Sequence, residues 1–142
     1  AGEITMGEVL TVLPFQNTLS TFEITGATLK DALENAVLQY DDPDATGRFL
    51  QVSGMTYTIN KSQPFGSRIT DVMVGGEPLD MEKVYGVVSN NFIRIGGDVD
   101  DMFVDAEDAY DFGPDLADVV AEYFAEQTPV TPYLDGRITI NE

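Results

Sequence analysis

The chain has 142 residues, of which 43% are hydrophobic and 10% aromatic, a composition that fits one globular domain with a sizeable core. It contains no histidine and no cysteine, which excludes Ser-His-Asp and Cys-His nucleophilic systems, structural zinc sites and imidazole ligands of transition metals. The formal net charge of -18 argues against binding to nucleic acid or to an anionic membrane, because both need clustered lysine and arginine.

The first part of the chain predicts two helices separated by a strand. Thr5, followed by an acid three residues later, is a suitable N-cap for a short helix that stops at Pro14. Residues 17–25 alternate polar and apolar side chains and indicate a strand, which Gly26 breaks. Residues 27–40 carry apolar side chains at helical spacing and predict an amphipathic helix docked on a sheet.

The middle of the chain predicts strands linked by short connections. Alternating segments at residues 55–60, 68–74 and 84–90 indicate strands, with a hairpin loop at 61–67 and a turn at Gly75-Gly76. Residues 41–47 read as a solvated loop, since their spacing lacks the glycine and distal glutamate of an EF-hand calcium loop.

The last third begins with acidic residues, which are Asp98, Asp100, Asp101, Asp105, Glu107 and Asp108. A catalytic carboxylate pair needs a walled cleft whose two sides give the carboxyl groups different pKa values. This run has the composition of a solvated loop, so we do not interpret it as a catalytic pair. Asp98 is the exception, because the glycine pair places it close to Phe92. A second long helix is predicted from Pro114 and a terminal strand at residues 136–140. Two long helices separated by hairpin-linked strands do not alternate as βαβ units, and they indicate an α+β domain with mixed or antiparallel sheets.

The most informative stretch follows the strand at 83–89. Phe92, a Gly96-Gly97 pair and Asp98 come in close succession, and glycines let the backbone turn tightly or approach a ligand. Phe92 and Asp98 are therefore candidates to meet one planar, polar ligand. The alternative is a strand that ends in a tight turn with a capping aspartate.

Six segments together resemble the C-terminal domain of the 5'-nucleotidase family; they lie at residues 4–10, 12–19, 24–29, 51–54, 91–98 and 134–138. The resemblance implies a layered α/β/β/α sandwich with mixed sheets flanked by helices, and one domain over residues 1–142. It also implies a parent hydrolase whose N-terminal metallophosphoesterase domain holds two divalent metals. No cofactor is expected in the present domain, and the isolated domain is expected to hydrolyse nothing.

The same resemblance assigns roles to four residues. Phe15 and Phe92 match the two aromatics that sandwich the base of the substrate, Asp98 matches a carboxylate near the ribose, and Asn17 matches a position that contributes a polar contact in some members. From the residues alone, Phe15 is an ordinary core residue after a helix stop. Arg94 departs from the small residue of many members, and we expect it to be a solvent-facing loop arginine; contact with a substrate phosphate is the alternative.

Several alternatives stay open. The parent could cleave cyclic nucleotides, UDP-sugars, NAD or a thiosulfate ester, because pocket loops and not the fold decide the substrate. A different class is a non-catalytic, calcium-dependent interaction module that uses Asp98, Asp100 and Asp101. We expect a nucleotide or nucleoside and the N-terminal catalytic domain as partners, and a periplasmic or cell-surface location. No apolar run is long enough to span a bilayer, and the first residues lack the pattern of a signal peptide, as in a mature protein or a fragment.

Overall fold

The computed structural model describes residues 2–39, 46–97 and 101–142. Within these ranges, the helices are α1 (Met6–Val12), α2 (Gly26–Ala36), α3 (Asn91–Arg94) and α4 (Leu116–Glu126). The strands are β1 (Leu19–Thr25), β2 (Met55–Asn60), β3 (Ile69–Val74), β4 (Glu77–Pro78), β5 (Val84–Asn90), β6 (Glu107–Tyr110) and β7 (Ile138–Asn141).

The strands form two sheets. The first has the order β5-β1-β6 and its pairs are antiparallel, with β1 and β5 in continuous register from Leu19 opposite Asn90 to Thr25 opposite Val84. The second has the order β4-β3-β2-β7 and is mixed, because β7 runs parallel to β2. The predicted α+β class with mixed sheets and helices is therefore confirmed.

Helix α2 connects the two sheets through the core. Its Leu29 and Ala32 pack with Phe22 and Ile24 of β1 in one buried cluster, to which Phe103 also belongs. One turn further along, Leu33 and Val37 pack in a second buried cluster. The partners in that cluster come from β2 and β3, namely Tyr57, Ile59, Ile69 and Val72. Burial raises the pKa of the Tyr57 hydroxyl to about 12.

The start of α1 follows the prediction. Thr5 Oγ1 accepts a hydrogen bond from Glu8 N at 3.3 Å, and Glu8 Oε2 accepts one from Thr5 N at 2.8 Å. These two bonds form a capping box, which satisfies backbone N–H groups that have no partner within the helix. The chain then leaves the helix after Val12, before Pro14.

Gly26 does not separate a strand from a later helix; it is the first residue of α2. Thr25 caps the helix directly, because its Oγ1 accepts the N–H of Thr28 at 3.2 Å. A Cβ at residue 26 would overlap the carbonyl oxygen of Asp80. The glycine is therefore required for close packing at the strand-to-helix junction. The helix ends at Ala36, earlier than predicted, and residues 40–45 lie outside the described ranges.

The acidic run is not the continuous loop that its composition predicts. Residues Asp101–Phe103 form a 3-10 turn, and Glu107–Tyr110 form β6 against β1. All four residues of β6 are exposed, so this strand carries no alternation of apolar side chains that would reveal it. The sequence pattern also misses the short strand β4. The helix predicted from Pro114 begins at Leu116 with Asp115 as its N-cap, whose Oδ1 accepts the N–H of Ala117 at 2.9 Å.

Candidate functional site

Two segments meet at one end of the first sheet. One is the connection from α1 to β1, residues 13–18, and the other is α3, which follows β5 directly. Asn91 N donates to the carbonyl oxygen of Thr18 at 3.0 Å, and Thr18 N donates to Asn91 Oδ1 at 3.1 Å. This reciprocal pair joins the backbone three residues after Phe15 to the residue before Phe92. The two aromatics therefore stand on segments that are bonded to each other.

Phe15 is not a core residue, although its position after a helix stop allowed that interpretation. Its side chain is 73% exposed. A phenylalanine of this exposure contributes little to the stability of the domain, because most of its apolar surface stays in water. It is available to contact a ligand.

Phe92 stands on a single helical turn between β5 and the glycine pair. Asn90 caps this turn, and its Oδ1 accepts the N–H of Ile93 at 2.9 Å. Phe92 is 45% exposed, and its ring lies against Gly97. A Cβ at residue 97 would come within 2.5 Å of two carbons of this ring. Gly96 has a φ of +96°, so each glycine of the pair has its own steric reason.

Asn17 lies within the described residues, and Asp98 does not. The backbone carbonyl of Asn17 accepts the N–H of Leu116 at 2.8 Å, which ties the start of α4 to the segment that carries Phe15. A ligand contact of the Asn17 side chain stays a prediction. Asp98 lies outside the described residues, as do Val99 and Asp100, and its role near a ribose also stays a prediction.

Arg94 is not a solvent-facing loop residue, which corrects the expectation from the sequence. Its Nε donates to Asp111 Oδ1 at 2.7 Å and its Nη2 to Asp111 Oδ2. The side chains are 16% and 23% exposed, and Arg94 Nη1 also donates to the carbonyl oxygen of Val104 at 3.4 Å. The guanidinium is thus engaged by protein groups.

Asp111 is itself hydrogen-bonded to the central strand β1 and to the residue before it. Ser20, which is fully buried, donates from Oγ to Asp111 Oδ1 at 2.8 Å. The carbonyl oxygen of Asp111 accepts from Thr18 Oγ1 at 2.6 Å. The hydrogen bonds from Arg94, more than that from Ser20, hold the pKa of the Asp111 carboxyl below its usual value. Sequence reasoning missed both Asp111 and Ser20, because it did not place a strand before residue 111.

Two further aromatics extend from the end of β6. Tyr110 lies opposite Thr21 of β1, and its ring meets that of Phe112 edge to face with centroids 6.0 Å apart. They are 56% and 82% exposed. Their positions flank Asp111, so they belong to the same end of the sheet as the Arg94–Asp111 pair.

The described ranges contain no cluster of three or more acidic side chains with the geometry to hold a metal ion. In the same ranges, no helix has the length and apolarity needed to cross a bilayer.

Comparison with known proteins identifies the family. A sequence model described as "5'-nucleotidase, C-terminal domain" matches residues 1–105, which is most of the chain. The chain belongs to the 5'-nucleotidase family. The family resemblance predicted from six short segments is therefore confirmed.

Members of the 5'-nucleotidase family match over nearly the whole chain. A 5'-nucleotidase of Diplobatis ommata is 36% identical over 149 residues, and the match covers 99% of this chain but 26% of that protein. The solved structure of a 5'-nucleotidase precursor from Thermus thermophilus is 42% identical with a TM-score of 0.90 and covers 96% of this chain and 28% of that one. The NAD nucleotidase of Haemophilus influenzae is 26% identical with a TM-score of 0.83, covering 97% of this chain and 26% of that one. The chain thus spans about a quarter of the length of these relatives.

Proposed function

We propose that residues 1–142 are one domain, the substrate-binding domain of a 5'-nucleotidase-type phosphohydrolase. In this proposal a separate N-terminal domain of the same protein holds two divalent metals and hydrolyses the phosphate ester. The absence of histidine and cysteine from the chain is consistent with this division, because metal-assisted phosphate chemistry usually draws on imidazole ligands. The isolated domain binds the nucleoside part of the substrate and has no hydrolytic activity.

The base of the nucleotide lies between Phe15 and Phe92. The observation that carries this proposal is the reciprocal hydrogen bonding of Thr18 and Asn91, since it links the two segments on which these exposed rings stand. A purine or pyrimidine is flat and apolar on its faces, so two rings can stack on it, each contributing about 1–3 kcal/mol in single-strand nucleic acid binders. Asp98 accepts hydrogen bonds from the ribose hydroxyls, and the Asn17 side chain adds a polar contact.

The net charge of -18 does not contradict a nucleotide ligand. This domain contacts the uncharged base and sugar, and the metals of the other domain neutralise the phosphate. A strongly acidic domain would repel a phosphate that it had to bind alone.

Titration with adenosine and AMP tests the clamp. We expect both ligands to shift the NMR ring resonances of Phe15 and Phe92, and we expect Phe92→Ala to weaken binding by about 1–3 kcal/mol, or roughly five- to 150-fold in Kd. Phe65→Ala is the matched control, because Phe65 is also an exposed phenylalanine, at 60%, in the loop between β2 and β3 of the other sheet. Equal losses in the two variants, or unchanged Phe15 and Phe92 resonances at millimolar ligand, would contradict the clamp.

The similarity to a protein described as an NAD nucleotidase favours a second candidate, in which the parent cleaves a dinucleotide or nucleotide sugar. Hydrolysis of AMP, cyclic AMP, NAD and UDP-glucose by the parent protein, compared as kcat/KM, separates these substrates. A calcium-dependent interaction module would instead show a calcium-dependent shift in melting temperature and no effect of nucleosides.

A periplasmic or cell-surface location also belongs to the proposal. Fractionation of cells that express the parent protein tests it, and recovery of the protein in the cytoplasm alone would contradict it.

A further inference from the structure

Helix α3, which carries Phe92, is fixed at its C-terminal end by a side-chain ion pair. This helix has four residues, and a single turn is not stable by itself because helix nucleation is unfavourable. The orientation of Phe92 therefore depends on whatever holds the ends of this turn.

The first end is held by two asparagines. Asn90 caps the turn through its bond with Ile93 N, and Asn91 exchanges two hydrogen bonds with Thr18. These contacts fix the backbone on the N-terminal side of Phe92.

The second end is held by Arg94. Its guanidinium forms a bidentate ion pair with the Asp111 carboxylate. The two parallel hydrogen bonds fix the direction of the side chain as well as its position. Asp111 is in turn bonded to buried Ser20 on β1. The C-terminal side of the turn is thus anchored to the central strand of the first sheet, which leads directly from the segment of Phe15.

We propose that Arg94 and Asp111 are positioning residues of the base clamp, which hold the Phe92 ring against Gly97 at the angle and distance that stacking requires. This inference rests on the proposed function. Neither side chain touches the base; their effect on ligand binding is transmitted through α3. Without the pair, the turn that carries Phe92 keeps its N-terminal hydrogen bonds and the packing of Ile93 against the core, but its C-terminal end loses the bonds that fix its direction.

The experiment uses the 142-residue chain as wild type, Arg94→Ala and Arg94→Lys, with Asp111→Asn as a second variant that keeps side-chain volume. Arg137→Ala is the matched control, because Arg137 forms a comparable bidentate ion pair with Asp135 beside the second sheet. The first readout needs no ligand: nuclear Overhauser effects between the Phe92 ring protons and Gly97 Hα. We expect them in wild type and Arg137→Ala and expect them to be lost in Arg94→Ala and weakened in Asp111→Asn.

The second readout is adenosine affinity. We expect Arg94→Ala to raise the Kd about tenfold, within the range that loss of one stacked ring would give. The Kd of Arg94→Lys should lie between those of wild type and Arg94→Ala. In the parent protein, we expect Arg94→Ala to raise KM for AMP and to leave kcat unchanged. Hydrolysis of ribose 5-phosphate, which has no base, should not change.

Each result decides the proposal. Unchanged Overhauser effects and affinity in a folded Arg94→Ala would overturn it, and so would equal losses in Arg94→Ala and Arg137→Ala. Should Arg94→Ala not fold, the Arg94→Lys and Asp111→Asn variants carry the same comparison. If wild type itself binds no adenosine, the proposed function fails, and the Overhauser comparison still decides whether Arg94 holds Phe92 in place.

Discussion

The ring of Phe92 rests directly on Gly97, so closely that a Cβ at residue 97 would approach two ring carbons to 2.5 Å. The backbone carbonyl of Phe92 is equally near, so the side chain cannot relieve the overlap by rotation alone. The glycine therefore sets where an exposed aromatic ring can lie. We expect Gly97→Ala to displace the ring and to raise the Kd for adenosine roughly tenfold, by loss of one stacking surface.

Isothermal titration of wild type and Gly97→Ala measures this effect. Gly86→Ala is the control, because Gly86 is an exposed position of β5 and a Cβ there meets no atom within 4 Å. An unchanged Kd in Gly97→Ala would show that the Phe92 ring does not need its present position for binding.

Much of the first sheet and of the clamp segments was predictable from local patterns. Residues 19–25 alternate buried and exposed side chains, and Thr5 with Glu8 forms the capping pattern that the sequence indicates. These features are encoded within a few neighbouring residues. The family resemblance added Phe15, which its position after a helix stop did not distinguish from a core residue; Phe92 was already a candidate because of the glycine pair and Asp98 that follow it.

The parts that could not be predicted depend on contacts between distant residues. Strand β6 has four exposed residues, so its pairing with β1 leaves no hydrophobic pattern. Because β6 was missed, nothing placed Asp111 beside Arg94, which is 17 positions away in sequence. A single-residue departure such as Arg94 has no interpretable role until its partner across the fold is known.

Gly26→Ala should destabilise the domain. An added Cβ overlaps the carbonyl oxygen of Asp80, and backbone atoms cannot move aside as a flexible side chain can. Overpacking of this kind costs about 1–3 kcal/mol in free energy of unfolding, measured by urea denaturation. Gly7→Ala gives the opposite control: its Cβ would meet only Thr5 Oγ1 at 3.9 Å, and alanine is favoured over glycine in a helix by up to about 1 kcal/mol. Equal stability of the two variants would contradict the packing argument.

Glu34 is a buried carboxylate that serves the start of β3. Its Oε1 accepts from Ile69 N at 2.9 Å and from Lys30 Nζ at 2.8 Å, and its Oε2 accepts from Arg68 N at 3.0 Å. In Glu34→Gln an amide NH₂ would face one of these N–H donors, leaving a buried donor without a partner. We expect a loss of about 1–3 kcal/mol in free energy of unfolding. Lys30→Met removes only the partly exposed ion pair and should cost less than about 1 kcal/mol. A larger loss in Lys30→Met than in Glu34→Gln would show that the ion pair, and not the bonds to the β3 backbone, carries the stabilising effect of Glu34.

Asp135 should produce a stability change at acid pH. Hydrogen bonds from Arg137, at 2.8 Å from Nε to each carboxylate oxygen, lower the pKa of Asp135 to about 2 from an ordinary 3.8. Because the pKa is lower in the folded state, the contribution of this group is fully present above the unfolded value and is lost as pH falls through the folded one. Between about pH 4 and pH 2, wild type should therefore lose stability relative to Asp135→Asn, which cannot titrate.

Side chains at this surface are partly exposed, at 39% for Asp135, so salt at about 1 M should reduce the difference by screening the pair. Carbon-13 NMR of the Asp135 carboxyl measures its pKa directly, and a value near the ordinary 3.8 would show that the Arg137 pair does not persist in solution.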